Sequence, residues 1–321
     1  MNTAPKHNAP KIVFMGTPEF AVESLKALLG AGFQVVGVIT APDRPAGRGR
    51  KLQYSAVKEF ALEQGLEILQ PTNLKDPGFL ESLQALGADL QVVVAFRMLP
   101  RAVWAMPALG TFNLHASLLP QYRGAAPINW AIINGETRTG LTTFFLDDKI
   151  DTGSIILQEE EPIGPTDDAG SLHDRLKSRG AALVVRTCEM IAQGRAEPLP
   201  QRESGPLKAA PKLDRDNSRI DLGGSLQQVH DHIRGLSPYP GAWCILANGG
   251  REDTLKLFST KMEPALHGLP LGTLVREKDT LKVALRDGFL HILHLQLPGK
   301  RRMEIKEVLN GMHLEGDAHL R

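Results

Sequence analysis

Cysteine is nearly missing from this chain, with only Cys188 and Cys244 among 321 residues. They stand far apart, with no second cysteine at a metal-ligand or redox spacing, which argues against a disulfide framework and against a zinc site. Aromatic residues make up 5% and the net charge is only +1, so no global field points to nucleic acid, a membrane or an acidic ligand. No run approaches the roughly 20 apolar residues of a membrane span. The polar opening MNTAPKHNAP leads into the apolar run Ile12 to Met15, which has a strand's length and is too short for a signal peptide's core. A reducing, cytoplasmic setting is expected.

The length exceeds an ordinary domain of roughly 100 to 200 residues, so two cores are expected. KIVFMG at 11–16, QVVGVIT at 34–40, LEIL at 66–69 and LQVVVAF at 90–96 read as strands. Helical spacing appears between them, in the segment after Gly16, at 54–65 and near 78–86. Near-continuous Val, Ile and Leu runs separated by amphipathic helices predict an α/β domain, a Rossmann-like, mostly parallel sheet with helices on both faces. Gly16-Thr17-Pro18 lacks the GxGxxG spacing of a dinucleotide turn, and a structural turn is the better reading. LTTFFL and SIILQEE then flank DDKIDTG, and a long helix is expected at about 169–192.

Residues 194–218 are rich in Pro, Gly and charge, as a linker is. The boundary is placed near 206, giving domains over 1–206 and 207–321. The second domain predicts a helix at 225–236 and five short strands, WCILAN, TLKLFST, GTLVRE, LKVALRD and FLHILHLQL. That pattern fits a small OB-like β-barrel, a fold much used for nucleic acids. From 207 onward 17 Lys and Arg face 14 Asp and Glu, a net of +3, which leaves −2 for residues 1–206. Such an asymmetry is more often a solvated surface than an RNA footprint.

Ligands of such sheets sit at the carboxyl ends of the strands. There the stretch TFNLHASLLPQYRGAAP, 111–127, leaves a strand and enters a polar loop. Asn113 and His115 alternate, so on extended backbone both point to one face and can converge on a single oxygen. A lone Asn-x-His is more often a satisfied loop histidine. Asp151 of IDTG supplies a third group. Acyl transfer to an amine needs a donor for the developing oxyanion, a route for the amine's proton and a group that keeps the imidazole in its useful state. Asn, His and Asp meet those needs without a metal. A magnesium site at Asp147, Asp148 and Asp151, or a solvated acidic turn, competes with this reading.

The segments MGTPEFA at 15–21, APDRPAGRGR at 41–50, NLHASLLPQYRGAAPINWA at 113–131, IDTG at 150–153 and LSPYPGAW at 236–243 resemble those of methionyl-tRNA formyltransferases, in order over most of the chain. The resemblance implies that Asn113, His115 and Asp151 are catalytic and that 10-formyltetrahydrofolate is the formyl donor. It implies that Ser117, Leu118, Leu119 and Pro120 lie against the folate, and that residues 1–206 form the catalytic domain and 207–321 the tRNA-binding one. Asn113 and His115 would hydrogen-bond the formyl oxygen while Asp151 orients His115 and helps move the proton. Ala95-Phe96-Arg97-Met98-Leu99-Pro100 reads one residue shorter than the family pattern; Phe96 and Arg97 are candidate folate contacts there, with Arg97 equally readable as a surface charge.

Loop 41–53 carries Arg44, Arg48, Arg50 and Lys51 against Asp43 alone. Such a loop is ordinarily just solvated, but the resemblance makes it the contact to the tRNA acceptor end. The expected partners are initiator methionyl-tRNA and folate, with no metal, membrane or obligatory protein partner. Formylation of an amino sugar nucleotide and a non-catalytic RNA- or nucleotide-binding module are the competing functions.

Overall fold

The computed structural model describes residues 9–46, 51–203 and 205–321, the side chains of 45, 46 and 51 excepted. In chain order the elements begin with β1 (Lys11–Gly16), α1 (Glu19–Gly30), β2 (Gln34–Ile39), β3 (Arg44–Ala46), β4 (Lys51–Gln53), α2 (Ala56–Glu63), β5 (Ile68–Leu69) and α3 (Pro77–Ala85). Then come β6 (Leu90–Val94), α4 (Arg101–Trp104), β7 (Thr111–His115), β8 (Arg123–Gly124), α5 (Pro127–Ile133), β9 (Arg138–Phe145), β10 (Ile155–Pro162) and α6 (Ala169–Ala192).

Seven of these strands form one sheet in the order β10-β9-β7-β6-β1-β2-β5. β1 pairs in parallel with β2 and β6, β2 with β5, and β6 with β7, whereas β9 joins β7 antiparallel. Every residue of β6 and all but the first of β1 are buried, as their unbroken apolar runs require of strands covered on both faces. Val13, Met15 and Val93 face one way, onto Phe79 and Leu83 of α3 and Val103 of α4. Strand order reverses between β1 and β6. That switch point puts the loops after Gly16 and Val94 at the crevice where such sheets bind ligands.

The remaining elements are β11 (Ala209–Ala210), α7 (Leu226–Gly235), β12 (Ala242–Asn248), β13 (Arg251–Pro264), β14 (Leu274–Glu277), β15 (Thr280–Leu285), β16 (Gly288–Gln296), β17 (Arg302–Glu304), α8 (Ile305–Gly311) and β18 (His319–Leu320). The antiparallel order β14-β15-β16-β13-β12-β18 curls until its ends meet, for Thr273 bridges His319 and the Leu320 N–H donates to the Gly272 carbonyl at 2.8 Å. Gly272 sits at φ +82°, and a Cβ there would lie 2.1 Å from the Leu320 oxygen; glycine is therefore a condition of closure. Leu226, Val229 and Ile233 of α7 pack on Ala242, Cys244, Leu255 and Leu257. Ser225 and Gln228 form the capping box that starts this helix. The barrel-like sheet is the one expected, while the short α8, β17 and β18 carry too little periodicity to be read in advance.

The chain groups into two compact units. The first takes the chain to Gly124, with Thr139–Glu161 and His173–Ala209; the second takes Ala125–Arg138, Pro162–Leu172 and Ala210–Arg321. Thus α5 belongs with α7. Gly235 lies so close to Ile133 that a Cβ would meet its Cγ1 at 2.6 Å, and the Asn129 amide donates to the Gly235 carbonyl at 2.8 Å. Among the described residues no helix is long and apolar enough to cross a membrane.

Candidate active site

β6 and β7 run side by side, with Val93 beside Asn113 and Val94 beside Leu114, so the loop from Ala95 and the segment from Ala116 leave the same sheet edge together. Asn113 and His115 share one face of β7. Asn113 is half-buried and His115 is 6% exposed. No described residue forms a hydrogen bond with the Asn113 side chain. For a half-buried amide with two donors, that is hydrogen-bonding capacity the described residues do not use.

His115 is pinned. Its Nε2 lies 2.8 Å from the Tyr122 carbonyl oxygen, and a carbonyl only accepts, so Nε2 carries the hydrogen. In the neutral ring the lone pair then sits on Nδ1, which faces Asp151 Oδ2 at 3.8 Å. That separation is too long for a hydrogen bond, so the ring's orientation comes from Tyr122 rather than from Asp151, the residue expected from the sequence to orient it. A carbonyl group has no letter of its own in a sequence; the only advance sign is that Tyr122 falls inside the SLLPQYRGAAP stretch.

The chain between His115 and Tyr122 is tied down from the neighbouring hairpin. Thr142 Oγ1 donates to the Ser117 carbonyl at 2.6 Å and accepts from the Leu119 N–H at 3.2 Å, and Gln158 Nε2 reaches both the Leu119 carbonyl and Thr142 Oγ1. Of the residues expected against folate, Ser117 is fully buried, with its hydroxyl donated to the Gln121 carbonyl at 2.7 Å, and Leu119 is 3% exposed. Leu118 lies over Gly140; it and Pro120 are the two that keep a partly open side. Phe96 packs at the rim of the core cluster under α3. The Arg97 guanidinium donates to the Thr72 carbonyl at 3.0 Å and to that of Pro71, and stacks 5.6 Å from the Phe96 ring. Burial, with Arg44 nearby, draws the Arg97 pKa below the usual arginine value.

Asp151 occupies the turn between β9 and β10 at φ +54°, a left-handed conformation uncommon outside glycine that costs of order 1 kcal/mol or more. Ala95 at +48° and Tyr122 at +60° share it; because β9 runs antiparallel to β7, with Phe145 beside Phe112, the Asp151 turn starts from the opposite end of β7 and reaches back to His115. Asp151 Oδ2 accepts the Gly124 N–H at 2.9 Å, and its carbonyl accepts from Arg123 Nε at 3.0 Å and Gln201 Nε2 at 2.8 Å. Gly153 comes so near Phe145 that a Cβ would stand 1.7 Å from its carbonyl oxygen, which is why IDTG ends in glycine. The three carboxylates of the turn serve different partners. Asp147 accepts from the Lys149 N–H and from Thr152 Oγ1, and Asp148 faces Arg101 at 3.6 Å.

The basic stretch begins at an anchor. Asp43 accepts from Lys58 Nζ at 2.5 Å and Gln70 Nε2 at 2.8 Å, and these bonds, Gln70 first, hold its carboxyl below the usual range. β3 and β4 pair antiparallel, Arg44 opposite Gln53, with Arg44 exposed. Arg48 and Arg50 lie outside the described residues, and so does the side chain of Lys51.

Residues 10–188 match the family model described as Formyl transferase, and 212–313 the one described as Formyl transferase, C-terminal domain. The chain is 54% identical to methionyl-tRNA formyltransferase of Flavobacterium johnsoniae over 96% of its own length and 98% of the relative's. With the enzyme of that name from Bacteroides fragilis it shares 53% over 95% of each. Its fold is similar to that of WlaRD, a sugar 3N-formyl transferase solved in the presence of dTDP and 5-N-formyl-THF, with a TM-score of 0.65, 21% identity and coverage of 92% of this chain and 100% of that one. HypX from Aquifex aeolicus, in complex with tetrahydrofolic acid, gives 0.62 at 19% identity, over 94% of this chain and 47% of the other.

Proposed function

The chain belongs to the methionyl-tRNA formyltransferase family, and from that membership we propose that it moves the formyl group of 10-formyltetrahydrofolate onto the free amino group of methionyl-initiator-tRNA, giving N-formylmethionyl-tRNA for translation initiation. The observation that carries the reading is the gathering, beside β7, of an amide with no partner among the described residues, a pinned imidazole and a carboxylate, in a chain whose curated relatives bear that enzyme's name over nearly its full length.

The chemistry follows from what these groups can donate and accept. As the methionyl amine attacks the formyl carbon, negative charge grows on the formyl oxygen; Asn113 Nδ2 donates to it. His115 has committed Nε2 to Tyr122, so Nδ1 is the nitrogen that meets the reacting atoms. A proton taken up there stands beside the Asp151 carboxylate, which stabilises the charged ring. The bond from the formyl carbon to the carrier nitrogen breaks, that nitrogen departs with a proton and the amide product keeps the carbon. One N–H has been exchanged for another and no metal is called for.

The folate is assigned to the loops that follow β6 and β7, with Phe96, Arg97 and the segment Ser117, Leu118, Leu119 and Pro120 as its contacts. Ser117 and Leu119 are buried, so that segment meets a ligand mainly through backbone and through Leu118 and Pro120. Arg44, Arg48, Arg50 and Lys51 are assigned to the acceptor end of the tRNA, where each neutralised phosphate releases counterion. The C-terminal residues 207–321 are read as the tRNA-binding part and the setting as cytoplasmic. The test is a formylation assay with initiator and elongator methionyl-tRNA and with His115→Ala as control. Formyl product on initiator tRNA, lost in the variant, is the expected result; transfer to neither tRNA, or full activity of the variant, refutes the proposal.

A further inference from the structure

The chain after α6 returns to the catalytic turn. Leu199 pairs antiparallel with Ile155, the residue that opens β10, through N–H to carbonyl bonds of 2.8 and 2.9 Å in both directions. Two residues on, Gln201 turns its amide into the turn itself. Its Nε2 donates to the carbonyls of Asp151 at 2.8 Å and of Gly153 at 2.9 Å, while its Oε1 accepts from Arg123 Nη2 at 2.7 Å and Nε at 3.2 Å. Arg123 Nε also reaches the Asp151 carbonyl, and Nη1 is held by Glu203 at 2.7 Å. All four hydrogen-bonding positions of one glutamine amide are thus directed at the turn or at the arginine beside it.

The turn needs such a holder. Asp151 sits at φ +54°, a conformation that persists only where the surroundings over-determine it. Its carboxylate receives one N–H, from Gly124, which fixes one oxygen but not the backbone from which the side chain springs. We infer that Gln201, backed by Arg123, is a positioning residue for formyl transfer, holding the strained Asp151 backbone so that its carboxylate faces His115. The inference rests on the proposed role of Asp151. The segment that supplies Gln201 reads in the sequence as linker, and nothing in its composition marks a glutamine as part of a site.

Two substitutions separate the roles of the amide. Gln201→Glu keeps the oxygen that receives Arg123 and removes both N–H donors to the turn; Gln201→Met keeps the length and removes everything polar. Both are expected to lower kcat by about 10- to 100-fold, the scale of a misplacement near 1 Å, with KM for the formyl donor within about threefold of the parent. In an Asp151→Asn background neither is expected to lower kcat further, because a residue that acts through Asp151 has nothing left to position. Thermal unfolding of each variant checks that the fold is retained. Unchanged kcat for Gln201→Glu, or losses that multiply with that of Asp151→Asn, overturns the inference while leaving the proposed function standing. A parent protein that transfers no formyl group overturns both.

Discussion

Asn113→Ala separates the chemistry of this site from its architecture. The amide has no hydrogen-bond partner among the described residues and is only half-buried, so its removal severs none of the bonds those residues make, each typically worth about 1 kcal/mol. The unfolding midpoint is expected to stay within about 2 °C of the parent. Turnover is another matter. Loss of one oxyanion donor costs about 10² to 10³ in kcat, roughly 2.7 to 4 kcal/mol, and the acceptor's KM should barely move because the donor acts on charge that develops only in the transition state. Thr142→Val is the opposite control. It removes the hydroxyl that ties Ser117, Leu119 and Gln158 together, three bonds worth about 3 kcal/mol together; it should lower the midpoint clearly. The assay is single-turnover formyl transfer at saturating donor and methionyl-tRNA, paired with thermal unfolding of both variants. Turnover of Asn113→Ala within threefold of the parent, or a midpoint that falls as far as that of Thr142→Val, would refute the assignment of a free oxyanion donor.

Gly153→Ala should displace the Asp151 turn, since its Cβ would stand 1.7 Å from the Phe145 carbonyl oxygen; a fall in kcat together with a lowered unfolding midpoint is expected. Arg44→Ala should weaken tRNA use and reduce the log–log salt slope by about 0.7 to 0.9 for each phosphate left without its cation, with donor KM unchanged; equal slopes for parent and variant would count against a role for Arg44 on the tRNA backbone. Burial lowers the pKa of both His230 and His232 from the ordinary 6.5, so the unfolded chain takes up protons there before the folded one does. Stability should therefore be full above about pH 6.5 and decline as pH falls below it. Unfolding midpoints followed downward from neutral pH, for the parent and for a His230→Gln, His232→Gln double variant, would test this, the double variant showing the flatter profile.

The strands of the parallel sheet are legible because burial on both faces forces unbroken apolar runs such as Ile12–Met15 and Leu90–Val94. The three catalytic candidates can be named because Asn113 and His115 alternate on a strand, and because the family resemblance points to Asp151. What escapes is of another kind. The Tyr122 carbonyl that pins His115 and the Gly124 N–H that holds Asp151 are backbone groups, identical in every residue until the chain folds. Positive φ at Ala95, Tyr122 and Asp151 is imposed by surroundings rather than by residue type, and Gln201 comes from 50 residues away. Ser117 looks available for a ligand in the sequence, yet its hydroxyl closes a turn on Gln121.

The kinship of α5 with α7 sets an order of events during synthesis. Asn129 meets Gly235 across 106 residues of sequence. A ribosome adding roughly 5 to 20 residues per second needs about 5 to 20 s to deliver the second helix after the first. For that interval the nascent α5 waits with Ile133 uncovered, a sticky spot just downstream of the candidate site, and a chaperone that shields it would shorten no folding step yet spare the chain from clumping.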